Sequence, residues 1–107
     1  MEKFETEYPI KVFKHVSGLD IMGEEISRQN GSIVMKNILG VIAEGQGANT
    51  KTRFHILVAF GNPEEIRMNE GHISFDYVPD SQYITSYKDV LQSLRSTIVT
   101  PKSRIIV

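Results

Sequence analysis

The chain has no cysteine, no tryptophan and only four prolines in 107 residues. Without thiols there is no disulfide framework, no thiolate zinc site and no cysteine nucleophile, so the core must be held by packing alone or with help from subunit contacts. A reducing compartment fits that absence. The opening MEKFETEYPI lacks the continuous apolar stretch of a secretory signal, and no later run approaches the ~18 apolar residues of a membrane span. A cytoplasmic protein with no membrane partner is therefore expected. A formal net charge of −1 leaves no surplus of cations for strong nonspecific polyanion binding, which rests on Lys and Arg displacing counterions from phosphates. The charge is uneven, since from residue 88 onward Lys88, Arg95, Lys102 and Arg104 face only Asp89.

What is present is the composition of an ordinary globular domain, with 40% hydrophobic and 23% charged residues. One domain over 1–107 is expected, with its core over 10–97 and a C-terminal arm over 98–107. IKVFKHV (10–16) alternates with the period of a strand, and LDIMGEEI resumes alternation as far as Gln29. Asn30-Gly31 then signals a type I′ hairpin, because both residues tolerate positive φ. After it, SIVMKNILGVIA places Ile33, Met35, Leu39 and Val41 at one parity and Val34, Ile38 and Ile42 at the other. Its β-branched content favours a strand. EGQGANTKT reads as a polar loop, and RFHILVAF (53–60), EIRMN (65–69) and HISFDYV (72–78) read as further extended segments. DSQYITSYKDVLQSLRS carries Tyr83, Tyr87, Val90, Leu91 and Leu94 at helical spacing, with Asp80 or Ser81 as N-cap.

Little in these segments reads as chemistry. His15, His55 and His72 show no HxH, HxxxH or HExxH spacing, so structural or surface histidines are expected and no metal or cofactor. Glu24 with Glu25, and Glu64 with Glu65, are sequence neighbours that point to opposite faces of a strand and cannot act on one substrate as an acid–base pair. Gly45 and Gly47 with Asn49, Lys51 and Arg53 lack the GK[ST] ending of a P-loop and a following helix N-terminus to receive an anion. Tyr83 and Tyr87 read as a packing stripe. No enzyme is expected.

VSGLDIMGEEISRQNGSIVMKNIL resembles the first conserved stretch of the Sm-like (LSm) proteins. Gly18 and Gly23 have the family's five-residue separation, with Ser17 where asparagine is usual. The chain is more similar still to a divergent group of Sm-like proteins of marine, cyanophage-like phages. The shared features are the GEE of Gly23–Glu25, Lys36-Asn37 with Ile38 replacing a proline, Ala59-Phe60 at a strand end, and the IVTP of 98–101. Two motifs depart from the RNA-binding members. Gln29 and Ile33 stand where their Asp and Asn would fall, and Glu70 rather than Arg precedes Gly71.

The resemblance implies a small, strongly bent, five-stranded antiparallel Sm-like sheet or partly open barrel with one C-terminal helix. It also implies a homo-oligomeric ring of about five to seven subunits, closed head to tail through open sheet edges. The implied function is binding of RNA or single-stranded DNA in phage nucleic-acid processing, in the cytoplasm of an infected bacterium. The alternative is a phage structural or protein-interaction module that touches no nucleic acid. The implied contacts are Arg28, Gln29 and Asn30 at the hairpin tip and Asn69, Gly71 and His72 at the turn before the last strand, with Lys51 and Arg53 on the long loop as a second group.

Overall fold

The computed structural model describes residues 5–45, 47–49, 51–58 and 63–99. They fall into two compact units, a sheet over Thr6–Pro79 and a second unit that contains the C-terminal helix. The sheet consists of β1 (Ile10–His15), β2 (Asp20–Gln29), β3 (Ser32–Glu44), β4 (Lys51–Ile56), β5 (Ile66–Asn69) and β6 (Ile73–Tyr77). Short 3-10 turns occupy Gly47–Asn49 and Glu70–His72, and the helix, α1, spans Ser81–Val99. The protein is thus mainly β, with every strand pair antiparallel.

The strand order is β4-β3-β2-β1-β6, with β5 also on β3. Both β4 and β5 lie along β3, β4 on its C-terminal half from Leu39↔Ile56 to Glu44↔Lys51 and β5 on its N-terminal half from Ser32↔Asn69 to Met35↔Ile66. One sheet edge is therefore built in two pieces, which is why six strands appear where five are expected. β6 forms the opposite edge, so the sheet is open rather than a closed barrel. The strand expected over 53–60 instead begins at Lys51 and ends at Ile56, while residues 59–62, including the Ala59-Phe60 pair, lie outside the described residues.

Asn30 and Gly31 have φ of 53° and 79°, as the I′ turn between β2 and β3 requires. Past the turn the pairing is not uniform. Two steps along β2, Met22 to Glu24, are matched by three along β3, Leu39 to Lys36, and the mismatch reverses between Glu25 and Ser27. Such bulges bend a strand and increase its twist. The first bulge corrects the parity expected for β3. Ile33 and Met35 are core residues and Ile38 packs against that same core, whereas Leu39 is buried on the other face opposite Met22. An extra residue at Asn37, whose φ is 55°, shifts the alternation by one.

Phe13, Ile21, Ile33 and Met35 form the core, joined by Leu19, Ile38, Leu57, Met68 and Ile73. Ile10, Val12, Met22 and Leu39, on the opposite face by register, are buried too. In α1 the N–H groups of Tyr83 and Ile84 donate to the Asp80 carbonyl at 3.0 and 3.2 Å, which makes Asp80 the N-cap position. Tyr87 and Leu91 are its buried stripe. Of the expected arm over 98–107, residues 98 and 99 belong to α1 and the remainder lies outside the described residues.

Gly23 faces the bulge, and a Cβ there would stand 2.9 Å from Ile38 Cγ2 and 3.2 Å from Ile38 Cα. Because the nearby backbone cannot swing aside as a side chain would, Gly23→Ala is expected to destabilise the sheet by about 1–3 kcal/mol. Urea unfolding should show a lower midpoint at unchanged slope.

Candidate nucleic-acid interface

The two turns singled out by resemblance meet in space. Ser32, just past the β2–β3 tip, is opposite Asn69, and the Glu70 N–H donates to the Gly31 carbonyl at 2.8 Å. Arg28, Gln29 and Asn30 are thereby gathered beside Asn69, Gly71 and His72, all at the exposed end of the sheet. The Asn69 side chain is partly committed, because its Oδ1 accepts the Gly71 N–H at 2.8 Å and caps the 3-10 turn. Lys51 and Arg53 do not join the group. They lie on β4 rather than on a long loop, opposite Glu44 and Ile42 towards the far end of the 13-residue β3, roughly 33–40 Å away measured along the strand.

Charge at the tip is closely balanced. Arg28 Nη2 lies 2.9 Å from Glu25 Oε1 and 3.2 Å from Asp76 Oδ2, and Nη1 lies 3.8 Å from Glu70 Oε2. Its guanidinium also stands 5.6 Å from the centroid of the Phe13 ring. The Asp76 hydrogen bond, aided by Glu25, pushes the Arg28 guanidinium above its ordinary range against the opposing effect of burial. Lys11 Nζ shares the same carboxylates, 3.3 Å from Glu25 and 3.8 Å from Asp76. Two cations and three carboxylates leave this network with a formal charge of −1. Arg53, at the other end, is held by Glu44 at 3.2 Å.

The histidines are not alike. His15 and His72 approach edge to face with centroids 5.7 Å apart. His15 Nδ1 accepts the Ser17 N–H at 3.1 Å and lies 2.9 Å from Ser17 Oγ. The approach of His15 to His72 was not legible in sequence spacing, because it depends on β6 pairing beside β1. His55 packs its ring over Gly40, where a Cβ would collide with Nε2, and Nε2 is buried with no hydrogen-bond partner. Among the described residues no three His, Asp or Glu side chains are disposed to hold a metal.

Glu24 and Glu25 do point to opposite faces, as strand alternation requires. Glu25 faces Lys11 and Arg28, whereas Glu24 faces Asn37 and the backbone of Glu7 and Tyr8. No family model matches the chain, and no curated protein matches its sequence.

Removing the Arg28 guanidinium would leave Glu25, Asp76 and Glu70 facing one another with only Lys11 to offset them. Arg28→Met, which keeps apolar contact with Phe13, should cost about 1 kcal/mol at low ionic strength. Much of that loss should be recovered in high salt, as screening weakens the carboxylate repulsion. Thermal melts at two salt concentrations measure both effects.

Proposed function

We propose that the protein is a noncatalytic Sm-like ring protein that binds RNA or single-stranded DNA, in phage nucleic-acid processing. The observation that carries this reading is the Glu70–Gly31 hydrogen bond, which draws the two turns into one cluster. In a closed homo-oligomer that cluster recurs once per subunit and forms a circle. Gln29, Asn30 and Asn69 supply amide donors and acceptors for base edges, and the exposed His72 supplies a ring.

Ring formation rests on the two open edges. On β6, Phe75 and Tyr77 are 56% and 49% exposed with their rings stacked at 6.2 Å, and Ile56 on β4 is 59% exposed. By register these residues share one face of the sheet: Phe75 and Tyr77 are opposite Lys14 and Val12, and Ile56 is opposite Leu39. An edge with unpaired backbone and bare apolar side chains favours pairing with another chain. When the β6 edge of one copy meets the β4/β5 edge of the next, the contact is head to tail and closes into a ring of about five to seven subunits.

The second reading is a structural or protein-interaction module with no nucleic-acid partner. It is favoured by the ion pairs of Lys11, Lys14, Arg28, Lys36 and Arg53, which oppose a basic surface.

Light scattering should return a small-integer multiple of the 12.1 kDa chain, and Phe75→Asp should shift the population towards single chains. A wild-type protein that stays at one chain at micromolar concentration would end the ring proposal. Fluorescent single-stranded oligonucleotides should bind the assembly with an affinity that falls as salt rises. Arg28→Ala should weaken that binding severalfold without changing assembly size. No binding at low salt would leave the module reading in place.

A further inference from the structure

Glu24 is the one charged side chain fully buried among the described residues, at 0% exposure. Its Oε1 accepts the backbone N–H groups of Glu7 and Tyr8 at 2.9 and 3.2 Å, and its Oε2 accepts Asn37 Nδ2 at 2.6 Å. Lys36, opposite Glu24 on β3, places its ammonium on the Glu7 carboxylate at 2.5 Å and 5.8 Å from the centroid of the Tyr8 ring. The hydrogen bond between them holds the Glu7 carboxyl below its ordinary value and raises the Lys36 ammonium.

A buried carboxylate is tolerable only when its oxygens are satisfied. Here two of the three donors come from the short segment ahead of β1. The third depends on the β3 bulge, where Asn37 takes a left-handed backbone that asparagine tolerates better than other non-glycine residues and turns its amide towards Glu24. Apart from Glu24, the segment is tied to the sheet by the Glu25 N–H on the Pro9 carbonyl at 2.9 Å, by the exposed Glu7–Lys36 pair and by the Lys36 ammonium over the Tyr8 ring. The exposed ion pair contributes little, and the cation–ring contact and the single backbone hydrogen bond are each modest in net terms.

We propose that residues 6–9 are a strap with Glu24 as its catch, which opens and closes on the sheet without the sheet itself unfolding. Opening hydrates Glu24 and releases Lys36 from Glu7. The outer surface of the β2–β3 pair then changes from a sealed carboxylate to an exposed carboxylate and ammonium. A local transition of this kind is expected where few bonds join a chain segment to a stable sheet.

Amide hydrogen exchange on the full chain tests the strap. The Glu7, Tyr8 and Glu25 amides report on it, and the Val16 and Glu70 amides, bonded to His72 and Gly31, report on the sheet. In the wild type the strap amides should exchange faster than the sheet amides yet remain protected. Glu24→Gln, which removes the charge and leaves one acceptor oxygen where the three donors had two, should speed exchange of the strap amides at least tenfold and leave Val16 and Glu70 unchanged. Asn37→Gly, which keeps the left-handed backbone and removes one donor, should speed the strap amides by a smaller factor. Strap and sheet amides exchanging in step in the wild type would overturn the proposal, as would strap protection indifferent to both substitutions. Loss of the folded sheet in Glu24→Gln would make Glu24 a determinant of the core rather than a catch, and Asn37→Gly would then read the strap alone.

Discussion

Much of this sheet depends on one extra residue in β3. Asn37 adopts a left-handed backbone, and the strand that precedes it and the strand that follows it present opposite parities to the core. Ile33 and Met35 fill the core before the bulge, Ile38 follows them into it, and Leu39 goes to the other face. Gly23 is the complementary requirement, because only a residue without a side chain leaves room for Ile38 across the ladder. The same distortion aims Asn37 at Glu24, so a packing device and a polar contact share one cause.

The bulges also account for how β3 serves two partners. A flat 13-residue strand would offer one straight edge. A bent one pairs with β4 over one half and with β5 over the other. That division brings Asn69 beside Ser32 and gathers the last turn at the hairpin tip, while Lys51 and Arg53 are carried to the opposite end. The position of the candidate interface thus follows from strand curvature as much as from the residues in it. Its electrostatics follow partly from packing, since Asp76 on β6 reaches Arg28 on β2 because both strands flank β1, whereas Glu25 lies three residues from Arg28 on its own strand.

A good deal of this was legible in the chain. Alternation located β1, β2, β3, β5 and β6 to within a few residues, Asn30-Gly31 fixed the hairpin, and the spacing of Tyr83, Tyr87 and Leu91 marked the helix. These signals are local, because a period of two or of 3.6 residues and a positive φ are properties of neighbouring residues. The resemblance placed the two turns that meet, though not the carboxylates that surround Arg28.

Sequence alone therefore determined the class of the fold, the order of its elements and the absence of thiol chemistry. Tertiary structure decided which parity of β3 faces the core, the partnership of His15 with His72, the neutralisation of Arg28 and the burial of Glu24. Each of these depends on residues far apart in the chain, brought together by strand register. A single bulge shifts that register by one position and leaves no mark in the apolar pattern that sequence reasoning uses.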